Sequence, residues 1–491
     1  MSKPRANNGS PNRVPKTNTA NHSSAISKFV AIFIWLLFFS NLAFLILNFK
    51  TIPTLEFAGI LHLNGFTILI WTTVTFFSAV VSSYASNYLK GFKYQSQFML
   101  YCLGFTFTVL LLVCSDNVLL LLFSWMLMGV FMSKLIGIDA RWGEARSAAR
   151  YALSFFLTGT LFLSIGLLLL AFYSGVFRIY ELPKVIFDLP LYITIPAALC
   201  VIMAAIVQSA MYPFHKWLLS AMTSPTPASA LMHAGFVNGA GILLALFATL
   251  LFASETLTIL FVIGGFTAIL AQFTKLLQVN VKQKLACSTI AQMGFMIMQC
   301  GLGFFNAAVV HLILHGFYKA YLFLSSGEEV GQTKPQNLKT LKIKPLQAIA
   351  VLAFGALGAY LFAEFTGKNW TDSGVFLTLI VAITVGQATY NIVKEKSLSD
   401  VQKLFFPPIL FLIGIGVYAL MYNGVTILMY DMPLIAQSTA LTGVQITFGV
   451  IFLLGFFVMK LGVYRKIPWL YVKLLNISQP YDKSVLMYKN K

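Results

Sequence analysis

Apolar runs of about twenty residues, the length that crosses a bilayer as a helix, recur along the chain from Ile26 to Val463. Within these runs apolar and polar residues do not alternate, as they would in the short strands of a transmembrane barrel. A helix is then the remaining way to pair every backbone polar group inside lipid. Of the 491 residues 58% are hydrophobic and only 10% are charged, with a mean hydropathy of +0.81, which excludes an ordinary soluble domain. The expected fold is all-α and polytopic, with about 14 transmembrane helices by the twenty-residue criterion. They are placed at 28–49, 62–85, 97–114, 118–137, 150–173, 191–210, 226–252, 258–279, 285–303, 307–326, 346–363, 374–393, 404–421 and 438–462.

Residues 1–27 are polar, basic and rich in Asn, Ser and Pro, and are expected to form a disordered basic cytoplasmic tail. Phe29–Asn48 is long and lacks a small-residue cleavage pattern, so it reads as a retained first span and not as a signal peptide. The spans fill 28–463, and 464–491 is expected to be a cytoplasmic C-terminal segment. Its Trp469, Tyr471 and Tyr481 suit either a protein interface or a lipid-headgroup anchor. The formal charge of +19 sits in loops and tails, so it reports membrane topology and not nucleic acid. With the N-terminus in the cytoplasm, 28 of the 34 Lys and Arg fall on that side. Lys50, Arg178, Lys184 and Lys368 fall outside, and Lys275 and Lys319 lie within spans. The positive-inside rule therefore puts both termini in the cytoplasm.

Two stretches carry chemistry. The first runs from Gln208 to Leu243 and holds His215, Lys216 and His233 together with Pro213, Pro225 and Pro227. Each proline removes a backbone donor and bars a straight helix, so a broken helix is expected near 213–227. Irregular backbone at membrane depth survives only where it is buried in protein or lines a wet cavity. Polar residues beside such a break suggest an ion path, although a helix-to-helix corner at the membrane surface has the same composition. Pro225 and Pro227 are expected to hold the broken helix open. His215 and Lys216 are expected at the cytoplasmic mouth.

In the second stretch His311, His315 and Lys319 follow one another at four-residue intervals, which makes one polar stripe on a helix. Such a stripe is costly in a membrane unless it faces protein or water. Histidine exchanges a proton near neutral pH, and a desolvated lysine is brought toward that range. The three are candidates for a proton relay, with His233 and Lys275 as secondary members. Interhelical hydrogen bonds, with Lys319 snorkelling to the cytoplasmic edge, would account for the same spacing. His62 is single and near the outer surface, and is not assigned to the relay. Span-end carboxylates such as Asp116 and Glu364 read as surface groups. The cysteines at 102, 114, 200, 287 and 300 are scattered in apolar segments, as buried small hydrophobes are. No zinc site, phosphate loop or redox cofactor is expected in this chain.

Three blocks resemble the antiporter-like family that includes the large proton-pumping subunits of respiratory complex I and the Mrp antiporters. They are DNVLLLLFSW at Asp116–Trp125, PFHKWLLSAMTSPTPASALMHA at Pro213–Ala234, and KLACSTIAQMGF followed by HLILHGFYKA. Within them, MHAGFVNGAG, STIAQMGFMIMQCGLG and HGFYKAYLFLSSG are similar to the DabB branch, the membrane subunits of DAB-type inorganic-carbon transporters. The resemblance implies a bacterial cytoplasmic (inner) membrane protein. It also implies a complex with a DabA-like partner, a large peripheral zinc protein with a carbonic-anhydrase-like site. Proton flow through the membrane subunit would then energise one-way conversion of CO2 to bicarbonate. The chain departs from the complex I pattern at Met126, where that pattern has glutamate, and at Gln208, where it has lysine. Losing both members of a carboxylate–lysine pair leaves no uncompensated buried charge, whereas losing one would. The alternatives are a subunit of a cation/proton antiporter or respiratory pump, and a non-conducting membrane anchor for a peripheral enzyme.

Overall fold

A computed structural model describes residues 18–326, 345–394, 400–461 and 466–484. Its helices are α1 (Asn18–Leu47), α2 (Gly65–Tyr88), α3 (Gln95–Cys114), α4 (Val118–Ile136), α5 (Gly143–Ser174), α6 (Leu182–Val185), α7 (Leu191–Gln208), α8 (Lys216–Ser220), α9 (Thr226–Ala234), α10 (Gly239–Leu246), α11 (Ala248–Ala253), α12 (Leu257–Leu277), α13 (Val281–Gly301), α14 (Phe305–Ser325), α15 (Pro345–Thr366), α16 (Gly374–Lys394), α17 (Asp400–Leu428), α18 (Gly443–Leu461) and α19 (Pro468–Ile477). A helix lies in each stretch expected to span. Ten helical stretches among the described residues are long and apolar enough to cross a membrane. α13 is not one of them: Lys282, Gln283, Lys284, Gln292 and Gln299 lower its hydropathy.

Asparagine side chains start three of the helices. Asn64 accepts from Thr67 N–H, Asn117 from Leu119 N–H, and Asn280 from Lys282 and Gln283 N–H, each satisfying donors that a helix start leaves unpaired. α1 begins at Asn18, inside the segment expected to be a tail. A nucleated helix gains a hydrogen bond with each added residue, which carries it past the apolar run. The rest of that tail, residues 1–17, lies outside the described residues, as does most of the loop at 327–345.

α12 and α13 pack with their backbones nearly in contact. A Cβ on Gly264 would stand 2.6 Å from Gly294 O, and one on Gly294 would stand 2.7 Å from Ala268 N. Small residues permit this approach, which substitutes dispersion for the hydrophobic drive that lipid does not supply.

One end of the bundle carries α19 and is called here the C-terminal face; the other is the opposite face. On the opposite face a two-stranded hairpin, β1 (Leu55–Phe57) and β2 (Leu61–Leu63), precedes α2, so the expected span at 62–85 begins later, at Gly65. The hairpin belongs to a charged knot that the sequence reading missed. Asp116, expected at the surface, is fully buried and binds Arg178 Nε at 2.7 Å while accepting Tyr180 N–H at 3.0 Å. Arg178 also reaches Glu181 at 2.6 Å and Glu56 at 2.5 Å. The hydrogen bond to Asp116 raises the guanidinium above the ordinary arginine range. His62 is buried too, stacked on Tyr180 with ring centres 3.7 Å apart, and burial lowers its imidazole below the usual value. Asp116 and Arg178, 62 residues apart, and Glu56 and Arg178, 122 apart, meet here through pairing that no local pattern announces. Glu364, by contrast, is exposed as expected.

On the C-terminal face the end of the chain closes against the broken segment. Gln278 Nε2 donates to Ser478 O at 3.2 Å, Tyr481 N donates to Ser220 Oγ at 2.8 Å, and Tyr481 stacks on Tyr151 at 4.2 Å.

Gly294→Leu is expected to destabilise the protein by about 1–3 kcal/mol through overpacking. Gly416→Ala, where an added Cβ meets nothing within 4 Å, should be close to neutral. Thermal unfolding of the two variants in the same detergent compares them.

Candidate functional site

The predicted stripe on α14 is buried along its length: His311 is 2% exposed, His315 5% and Lys319 0%. Its partners come from α13. Lys319 Nζ donates to Leu285 O at 3.1 Å, and His311 Nε2 pairs with Gln292 Oε1 at 3.0 Å. Leu285 and Gln292 are seven residues apart, two helical turns, and therefore share the face of α13 turned to α14. The rings of His311 and His315 have centroids 6.3 Å apart. His311 Nδ1 and both ring nitrogens of His315 have no hydrogen-bond partner among the described residues. A neutral imidazole offers one donor and one acceptor, and an ammonium offers three donors. Lys319 therefore does not snorkel to the edge: it is enclosed, with Leu285 O as its acceptor.

His233 joins this group from α9. It is fully buried, stacks on Phe323 of α14 with centroids 4.3 Å apart, and has both ring nitrogens unpartnered among the described residues. It lies within electrostatic reach of Lys319 and Lys282, and Lys319 in turn lies within reach of Lys275. The structure thus groups His233 with His311, His315 and Lys319, while Lys275, half-buried in the last turn of α12, reaches Lys319 only through its charge. It adds Gln292 and Lys282, whose ammonium donates to Ser224 O at 2.8 Å. A heptad of polar positions on α13 was the signal available for Gln292.

The break is real but differently built. The chain leaves helix between Gln208 and Lys216 and again before Thr226, with Pro213 inside the first interruption. Pro225 is the N-cap residue of α9 and Pro227 lies in its first turn, positions where a missing N–H is harmless. They start a helix and do not hold one open. A second break, without proline, divides the span at Gly235–Asn238. Its backbone carbonyls are met by side chains: Gln208 Nε2 donates to Phe236 O at 3.0 Å, Ser209 Oγ to Val237 O at 2.8 Å and Asn238 Nδ2 to Ala234 O at 2.8 Å. Gln208 is thus a fastener of the break. Met126 is half-buried on α4. It is Met128 that approaches Gly239 alongside Gln208.

His215 and Lys216 lie on the C-terminal face. His215 is buried against Tyr212, and its Nε2 pairs with Ile477 O of α19 at 2.7 Å. Lys216 is exposed and lines a cavity of about 930 Å³ with Trp469 and Lys473. Among the described residues no group of three or more His, Cys, Asp or Glu is placed to hold a metal ion.

The profile of the NADH:quinone oxidoreductase/Mrp antiporter transmembrane family matches residues 115–371, which include the five candidate relay residues. The chain belongs to that family. The probable inorganic carbon transporter subunit DabB2 of Halothiobacillus neapolitanus is 30% identical over 428 residues, covering 85% of this chain and 72% of the relative. DabB1 of the same organism is 35% identical over 291 residues, 57% of this chain and 51% of the relative. NADH-quinone oxidoreductase subunit L of Rickettsia typhi is 31% identical over 310 residues, 60% of this chain and 47% of the relative. The chain's matched length is thus about half of two of these relatives. In fold, the antiporter-like chain resembles the membrane-bound sulfane sulfur reductase, an archaeal respiratory membrane complex, with a TM-score of 0.58 at 18% identity, covering 94% of each chain. The Mrp complex from Dietzia sp. DQ12-45-1b gives 0.57 at 20% identity, covering 94% of this chain and 50% of that one.

Gln208→Leu should leave Phe236 O without its donor and destabilise this family member by about 1–3 kcal/mol, the usual penalty for an unsatisfied buried polar group. Gln208→Glu would add a charge as well and should be worse. Melting midpoints of purified protein measure both.

Proposed function

We propose that this chain is the proton-conducting membrane subunit of an energy-coupled inorganic-carbon uptake complex, seated in the bacterial cytoplasmic membrane with the C-terminal face inward. The observation that carries the reading is the enclosed series Lys319–His315–His311, aligned on one helix and backed by acceptors on α13. Each imidazole takes a proton on its lone-pair nitrogen and gives one from the other, so charge advances without either ring leaving its site. Lys319 exchanges with His315 as ammonium or amine. Lys275, Lys282 and His233 link this end to the C-terminal face, where protons leave to the cytoplasm.

The relatives named as DabB support the carbon-uptake role. In this reading catalysis belongs to a large peripheral zinc protein with a carbonic-anhydrase-like site, which docks on the cytoplasmic face and makes bicarbonate from CO2. Relatives named as NADH-quinone oxidoreductase subunit L favour a second reading, a respiratory or cation/proton antiporter subunit. Gln208 and Met126 stand against it, since neither charge of that group's pair is present. Sodium is disfavoured for a related reason: it takes oxygen ligands, and the relay offers nitrogen.

Affinity purification of the tagged chain from mild detergent tests the partner. A zinc-containing soluble protein at fixed ratio is the expected companion; respiratory or Mrp subunits in its place would overturn the carbon-uptake reading. Lys319→Ala tests conduction. Uncoupler-sensitive bicarbonate uptake should fall to background while the complex still purifies intact. Unchanged uptake would make the chain an anchor.

A further inference from the structure

His311 is not the last buried polar group in its neighbourhood. α13 places Gln299 seven residues beyond Gln292, on the same face, and Gln299 Nε2 donates to Tyr418 OH at 3.3 Å. The Tyr418 hydroxyl also approaches Ala307 O at 3.5 Å, one turn of α14 from His311. On α17, Tyr418, Tyr422 and Thr426 repeat every four residues and so face one way. Asn306, at the start of α14, donates from Nδ2 to Thr426 Oγ1 at 2.7 Å. Gln299 and Asn306 are fully buried, and Tyr418 and Tyr422 are 2% and 3% exposed. The Tyr422 hydroxyl and Gln299 Oε1 have no hydrogen-bond partner among the described residues. Beyond them, in the loop between α15 and α16, the Lys368 ammonium lies 5.2 Å from the centre of the Tyr422 ring and 4.4 Å from that of Phe304. These groups climb from the middle of the bundle to the opposite face. Polar side chains enclosed in a membrane bundle carry a desolvation penalty, and the relay on α14 does not account for them.

We infer that Tyr418 and Tyr422 are the outer leg of the proton path, Tyr418 oriented by Gln299, and that Lys368 is its terminal group at the opposite face. The inference rests on the proton-conducting reading. A phenol both accepts and donates. Moving inward, Lys368 ammonium gives its proton to the Tyr422 oxygen as Tyr422 gives its own onward to Tyr418. Tyr418 then gives one to the unpartnered Nδ1 of His311, whose Nε2–H faces Gln292 Oε1, so each hydroxyl ends neutral with one proton. The Lys368 amine takes a replacement from the outer solution. Burial holds Lys368 below the ordinary lysine range while nearby Asp372 opposes that shift, and the rings of Phe304 and Tyr422 are its other close neighbours.

The alternative role for the same groups is to dock α17 on α13 and α14. Proton flux into liposomes separates the two, using the full-length chain reconstituted with whatever proteins purify with it, an imposed potential and an internal pH dye. The Tyr418→Phe/Tyr422→Phe double variant keeps both rings, and its flux is expected to drop about a hundredfold, the low end of what a positioned proton-transfer group contributes. Lys368→Arg keeps the cation over the rings but cannot deprotonate, and should lose flux with its melting midpoint and companions unchanged. Wild-type flux in both, with Lys319→Ala inactive, would overturn the outer leg and leave the relay standing. Wild-type protein that conducts no faster than empty liposomes would overturn the proton-conducting reading itself. If the double variant does not assemble, Lys368→Arg, which lies in a loop, decides alone.

Discussion

Backbone carbonyls freed inside a bilayer have no water to turn to, and the centre of this protein is arranged around meeting three of them. Each unsatisfied group would cost several kcal/mol in hydrocarbon. The span that starts at Thr226 is interrupted at Gly235–Asn238, and Gln208, Ser209 and Asn238 supply the missing donors. Because two of those donors stand at the end of α7, the repair also fixes α7 against α10. The relay helix then closes on the same place: a Cβ on Gly316 would sit 3.0 Å from Ala234 O and 2.5 Å from the Phe77 ring. His315, the neighbour of Gly316, is held against the break by that fit.

The polarity of the interior is one-sided. Among the described residues the buried ionisable side chains along the relay are histidines, Lys319 and Cys287, with no carboxylate beside them. The buried carboxylate Asp116 is kept at the opposite face, locked to Arg178. A lysine without a counter-ion is best placed where it can change protonation state, and a neighbouring neutral imidazole gives it somewhere to send the proton. Met126 and Gln208 fit the same economy of charge. The methionine needs no partner, and the glutamine finds one in the broken backbone.

Much of this was legible in the residues. Apolar run length placed the helices, and four-residue spacing placed His311, His315 and Lys319 on one face. His233 is buried against the same helix, stacked on Phe323. The prolines misled, since a proline marks either the inside of a break or the first turn of the next helix, and Pro225 and Pro227 are the second kind. The second interruption, at Gly235–Asn238, has only a small residue and the side-chain bonds of Gln208, Ser209 and Asn238 to identify it. Asp116 and Arg178 lie 62 residues apart, and Gln299 and Tyr418 lie 119 apart. Partners at such separations meet through tertiary packing, about which hydropathy and spacing say nothing.

The bond between His215 and Ile477 O joins positions 262 residues apart. It gives the protein an order of completion. The broken segment enters the membrane early in synthesis, but its mouth on the C-terminal face is finished only after α19 has been made and has folded back. Until then the relay helices can be in place while the surface at His215 still lacks its cover. A chain stopped short of Ile477 would therefore leave the ring of His215 without its partner on the C-terminal face.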